Sequence, residues 1–222
     1  DWTAALSTAG SGNFDFNSTS AITIKSSDDN ITFSTSIIEL ANGGDLTIDG
    51  NDTGDISVYG IVPTSLEIVT LKSSASGGAG DITVGAGGLG TSSLPLGDTT
   101  LTGQVVTLLG DINAGGSGTT TTAAIYRGDV DINTTSIVLD GDVHITSDVS
   151  SPHATNNDGT ITISLAAGGV TKINAADTDS NTEALTILSG SGTITLKATI
   201  GVTKALDSLD TVSYTHLRAH ET

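Results

Sequence analysis

One stretch constrains this chain more than any other. GTITISLAAGGVTKI, Gly159 to Ile173, returns as GTITLKATIGVTKAL, Gly192 to Leu206, with a single-residue offset inside the match. A displacement of that size is one turn of a solenoid, in which each unit buries its apolar side only by stacking on the next. Gly97, Gly128, Gly159 and Gly192 repeat nearly the same spacing, and Gly80, Gly110 and Gly141 form a second series with it. Two strand starts therefore alternate within a period of about thirty residues.

Inside the period the hydrophobic pattern has a repeat of two. In Gly159 to Leu165 the residues Ile161, Ile163 and Leu165 point one way and Thr160, Thr162 and Ser164 the other, the signature of a strand with one buried face. AITIK, NITFS, GDLTI, GDISV, GDITV, ALTIL and GTITL read alike, and no segment carries a helical stripe. The expected fold is all-β: a parallel β-solenoid with coils of about thirty residues, about seven coils and roughly 34 Å tall at about 4.8 Å per coil. Stacking in the first glycine register lines up Leu101, Ile132, Ile163 and Leu196 as one inward column and Thr99, Val130, Ile161 and Ile194 as another. Thr99 interrupts its column, as a terminal or bulged coil would. Thr100, Thr162 and Thr195 form an outward column, where a β-branched polar side chain suits a solvated sheet face. A pair of β-sandwich domains is the competing fold, but sandwiches ordinarily use several core aromatics and have no thirty-residue self-similarity.

Composition narrows the function classes. Seven Lys/Arg against 25 Asp/Glu give a net charge of −18, which repels phosphate and anionic lipid and argues against nucleic-acid partners and membrane surfaces. No apolar run approaches the roughly 18 residues of a spanning helix, so no membrane insertion is expected. With 3% aromatics and no Met, the core must consist of Val, Ile, Leu and Ala. The absence of Cys removes disulfides, thiolate metal sites and one class of nucleophile.

The ends differ from the middle. Val212 to Thr222, VSYTHLRAHET, resembles the translation of a transposase adapter used in short-read sequencing. It is expected to be a non-native tail outside the fold, leaving 1–211 as the solenoid. The chain starts at Asp1 with no Met, basic segment or apolar leader, and is read as an internal piece of a longer protein.

Gly192 to Leu196, the Gly201-Val202 step and Ala205-Leu206-Asp207-Ser208-Leu209 together resemble the β-strand repeats of filamentous-haemagglutinin-like bacterial exoproteins. The likeness extends over the native stretch and is densest in its last third. It implies a long right-handed parallel β-helix, exported across the outer membrane, projecting from the cell surface and used in adhesion to a host or neighbouring cell or to polysaccharide. On that reading the chain is a structural shaft and not an enzyme.

Residues able to carry chemistry are few. His144 and His153 are the only histidines before the tail, and His144 alternates with Val143 and Ile145 so that it should face solvent. No residue is assigned a catalytic or cofactor-binding role. Asp129 and Asp131, beside Arg127 and Tyr126, are the one cluster resembling the acidic groove of a β-helical polysaccharide lyase or hydrolase. Asp49 to Gly54 and Gly77 to Asp81 look like fragments of calcium loops but read as turns. If the second glycine series is in register, Asp81, Asp111 and Asp142 form an acidic column about 4.8 Å apart, which weakly bound calcium would relieve. The outward Thr columns raise a third class, a binder of ice or crystalline polysaccharide, although Asp131 and Lys197 interrupt them.

Overall fold

A computed structural model describes residues 6–8, 12–73, 79–115, 128–147, 159–165, 170–176, 183–190 and 192–213. Every regular element among them is a strand. In chain order these are β1 (Leu6–Thr8), β2 (Phe14–Asn17), β3 (Ile22–Lys25), β4 (Ile31–Ala41), β5 (Leu46–Asp49) and β6 (Ile56–Pro63). There follow β7 (Val69–Lys72), β8 (Ile82–Leu89), β9 (Thr99–Leu108), β10 (Ile112–Asn113), β11 (Val130–Leu139) and β12 (Val143–Thr146). The last six are β13 (Ile161–Ser164), β14 (Thr171–Ala175), β15 (Ala184–Gly190), β16 (Ile194–Leu196), β17 (Ala198–Ile200) and β18 (Ser208–Ser213).

Every pairing between these strands is parallel. Strands belonging to one turn of chain do not pair with each other; each pairs with its counterpart in the next turn, which makes the fold a β-solenoid. The pairings sort into three sheets. The first runs through Leu6, Ile31, Ile56, Ile82, Val106, Ile137, Ile173 and Ile200. The second runs through Phe14, Ile38, Ile61, Leu89, Ile112, Ile145, Ile187 and Thr211. The third runs through Ile22, Leu46, Val69, Thr99, Val130, Ile161 and Ile194. β4, β6, β8, β9 and β11 are long because each bends around a corner and serves two sheets.

The core is the space these sheets enclose. From Ile31 to Ile187 the inward Ile, Val and Leu side chains are almost wholly removed from solvent, each contributing about 1.5–3 kcal/mol relative to an exposed one. Both inward columns expected in the third sheet are present in register. Thr99 is neither terminal nor bulged: it sits in mid-stack between Val69 and Val130, fully buried, with its hydroxyl lacking a partner.

Corners are built by small and hydrogen-bonding residues. Gly97, Gly128, Gly159 and Gly192 each sit two residues ahead of the paired Thr99, Val130, Ile161 and Ile194; Gly192 packs on the Gly159 carbonyl and Gly159 on the Gly128 carbonyl, while Gly128 packs on Gly115 and Gly97 on Leu66. A Cβ on Gly159 would point straight at the Gly128 carbonyl, so any side chain there would push the coils apart. Serine hydroxyls tie other corners: Ser73 donates to Gly80 O at 2.7 Å, Ser147 to Gly159 O at 2.8 Å and Ser189 to Gly192 O at 2.9 Å. At Asn42-Gly43 two successive residues take positive φ, 66° and 80°, conformations open to Gly and tolerated by Asn.

Two expectations are revised. The solenoid makes about 6 turns with coils of about 27 residues. Its first turns are shorter than the expected period, as the pairing of Ile22 with Leu46 and of Leu46 with Val69 requires, and the later ones are longer, as the pairing of Thr99 with Val130 and of Val143 with Leu185 requires. The second glycine series is not a column: Gly80 packs on Gly54 and Ser73, while Gly110 packs on Gly85 and Gly88. At the C-terminal end β18 includes Val212 and Ser213, which pair with Leu188 and Gly190. The rest of the stretch read as adapter-derived lies outside the described residues.

Candidate functional site

The Gly-Asp heads of the strands place a row of carboxylates at the corners, and the register shows what they do. Asp55 N–H donates to Asn30 Oδ1, Asp81 N–H to Asp55 Oδ1 and Val105 N–H to Asp81 Oδ1, at 2.9, 2.9 and 3.0 Å. In the third sheet Ile68 N–H donates to Asp45, Asp129 N–H to Asp98 and Thr160 N–H to Asp129. Each of these corner carboxylates thus accepts a backbone N–H from the coil above, a charge-assisted bond that pins the register where the sheet ladder ends.

This geometry separates the three calcium candidates. Asp81 heads the first sheet and meets Val105; Asp111 heads the second sheet and accepts from His144 N–H at 2.8 Å; Asp142 accepts from Ala184 N–H at 2.9 Å. The acidic column of Asp81, Asp111 and Asp142 does not form. The Gly-Asp spacing misleads by giving all three aspartates one corner, whereas Ile112 pairs with Ile145 and so puts Asp111 level with His144, not Asp142. Among the described residues no group of three His, Asp or Glu side chains is arranged to hold a metal ion.

His144 faces solvent as expected, its Nδ1 3.3 Å from Asp111 Oδ1, with the two side chains 60% and 45% exposed. His153, Arg127 and Tyr126 lie outside the described residues. Asp129, immediately ahead of β11, and Asp131, in its outward row, are both partly exposed, as the alternation predicted. Burial lifts the Asp131 carboxyl above its ordinary 3.8; the Thr162 hydroxyl opposes the rise and the Asp129 and Asp98 charges add to it. Burial likewise lifts Asp81, opposed by the Val105 N–H and reinforced by Asp55.

The most regular surface is the outer face of the third sheet. Thr23, Thr47, Thr70, Thr100, Asp131, Thr162 and Thr195 occupy one outward row at about 4.8 Å per step. Thr100, Thr162 and Thr195 were legible in the sequence; Thr23, Thr47 and Thr70 were missed because the coils joining them are shorter than the thirty-residue ruler. The next outward row is Lys25, Asp49, Lys72, Thr102, Asn133 and Ser164. Asp49 lies 3.5 Å from Lys25 and 4.0 Å from Lys72; with both lysines well exposed, each ion pair contributes at most about 1 kcal/mol. Asp131 is the single break in the Thr row.

No family model, curated protein or solved structure matches this chain. No helix among the described residues is long and apolar enough to cross a membrane.

Proposed function

We propose that this chain is a rigid shaft segment of an exported bacterial surface protein of the filamentous-haemagglutinin-like type, whose work is length and display rather than catalysis. The observation that carries the reading is the unbroken stack of three parallel sheets around one apolar core, with polar side chains on the outer face of the third sheet. Stability then grows by repetition of coils, which suits a spacer. The resemblance of Gly192–Leu209 to exoprotein repeats adds the surface location and an adhesive role towards a host cell, a neighbouring cell or a polysaccharide. Immunogold labelling of intact source cells with antibodies to the folded chain tests it. Label standing off the outer surface and removable by external protease supports the reading, and label confined within the envelope overturns it.

The Thr row favours a second reading, a binder of ice or crystalline polysaccharide, because six of its seven positions carry the same hydroxyl and methyl at one spacing. Retention of the purified chain on such a solid, lost in Thr70→Lys, would support it.

A further inference from the structure

Asn42 is the one asparagine of the chain followed by glycine. At such a pair no β-carbon on the second residue hinders its nitrogen from reaching the asparagine side chain. Asn42 and Gly43 are both exposed, on the corner between β4 and β5, and a Cβ on Gly43 would meet nothing within 4 Å, so water reaches this peptide freely.

The coils on either side hold the pair. Asn42 Nδ2–H donates to Asn17 Oδ1 in the preceding coil, and Gly43 N–H donates to Glu67 Oε1 in the following one at 3.1 Å. Glu67 is 1% exposed, an uncommon place for a carboxyl group, and its own turn fixes it there. The Thr64 hydroxyl donates to Oε1 at 3.3 Å, Ser65 N–H donates to Oε2 at 2.8 Å, and the Glu67 carbonyl accepts Gly97 N–H at 3.0 Å. The corner aspartates accept an N–H from a later coil; Glu67 reaches back to an earlier one, onto the nitrogen that follows Asn42.

That nitrogen is the nucleophile of deamidation. It loses its proton and bonds to Asn42 Cγ while the Cγ–Nδ2 bond breaks, and the side-chain nitrogen takes up a proton from water and leaves as ammonia. Water then opens the resulting succinimide. Cleavage of the new Cγ–N bond gives aspartate, and cleavage at the Asn42 backbone carbonyl gives isoaspartate, whose main chain runs through the side chain. Water is the only co-reactant. In the folded chain both reacting groups are engaged: the proton that must leave is bonded to a carboxylate, and the amide that must turn is held by Asn17. The φ values of 66° and 80° belong to a backbone fixed on both sides of the bond, and attack needs the two atoms free to approach each other.

We propose that Asn42 is a self-modification site gated by Glu67: it deamidates only when this corner opens, and the product keeps the corner from closing. Either product places a second carboxylate beside Glu67 and leaves Asn17 Oδ1 without its donor, and isoaspartate also lengthens a tight turn. The proposal goes beyond the shaft reading and does not rest on it.

The test follows the purified full-length chain at mildly alkaline pH, native and in urea, by peptide mapping with mass spectrometry, reading the amide-to-acid mass gain at Asn42. Conversion is expected in urea, and slower by about 10- to 150-fold in the native chain, the span set by opening one hydrogen bond to a charged acceptor. Glu67→Ala, checked as folded by circular dichroism, should move the native rate most of the way to the urea rate, with Glu67→Gln, which keeps an oxygen but not the charge, in between. Asn17→Ala, at an exposed position, frees the amide with Glu67 left in place, and should also speed conversion; it covers the case in which the Glu67 variants unfold. Hydrogen exchange at the Gly43 amide should be slow in the native chain and fast once Asn42 is converted. Equal rates in native and unfolded chain, no conversion in urea, a folded Glu67→Ala as slow as the native chain, or Asn17→Ala without effect would overturn the proposal.

Discussion

Gly159→Ala is the sharpest probe of the stacked corner. The added methyl would aim at the Gly128 carbonyl, lying 2.6 Å from its carbon and 3.0 Å from Asp129 N. All these atoms are backbone, so no side chain can swing aside, and relief must come from separating two coils locally. The separation would strain Thr160 N–H to Asp129 Oδ1 at 2.7 Å and Val130 N–H to Thr160 O at 2.9 Å, the first, to a charged acceptor, contributing about 1.5–3 kcal/mol and the second about 1 kcal/mol. Overpacking costs about 1–3 kcal/mol in yielding cores, and this site does not yield, so a loss of about 3 kcal/mol is expected. For a chain of this length that corresponds to a fall of about 6–12 °C in Tm. The control is Gly12→Ala, where a Cβ meets nothing within 4 Å and stability should hold or rise slightly through a less flexible unfolded chain. Urea melts followed by circular dichroism measure both. Equal stability of Gly159→Ala and Gly12→Ala would refute the stacking of the corner glycines.

Thr99→Val replaces a buried, unpartnered hydroxyl by a methyl between Val69 and Val130, and should raise unfolding free energy by about 1 kcal/mol; a loss in the same urea melt would mean that the hydroxyl has a partner. Ile163→Ala, inside the third-sheet column, should cost about 2–5 kcal/mol, and a loss below about 1 kcal/mol would place Ile163 outside the core. Folding raises the Asp131 pKa, so its ionised form opposes folding at neutral pH, and that penalty fades as pH falls through the raised value towards 3.8. Asp131→Asn should therefore raise Tm at neutral pH and leave it unchanged below 3.8; a variant destabilised at neutral pH would reverse the sign. Because Asp81, Asp111 and Asp142 each accept a different backbone N–H, melting curves in millimolar calcium and in excess chelator should coincide, and a calcium-dependent rise would bring back an ion at the corners.

The third sheet was legible in the sequence because two signals coincide there. Its glycines each sit two residues ahead of a paired position, and its strands alternate cleanly from Thr99 to Leu196, so a thirty-residue ruler found both the inward and outward columns. The same ruler failed towards the N-terminal end, where shorter turns carry fewer loop residues although the strands are alike. β8 hides its pairing for another reason: Gly85, Gly87 and Gly88 erase the alternation, yet Gly60 and Gly88 pair where the first sheet gives way to the second and backbones approach closely. The corner carboxylates were visible as Gly-Asp motifs, but their role was not. Composition suggests repelling charges, whereas an aspartate receiving a backbone N–H from the next coil can be resolved only once register is known.

Register is the claim on which everything else depends, and the absence of Cys makes it directly measurable. Spin labels on Thr47→Cys with Thr195→Cys, five coil steps apart in the outward row, should lie about 24 Å apart, and labels on Thr70→Cys with Thr195→Cys, one step closer, about 19 Å. Electron–electron double resonance on the two pairs reads that difference. A decrement near one coil spacing is what parallel, in-register stacking predicts. Equal distances, or a longer one for the second pair, would contradict the solenoid and everything built on it.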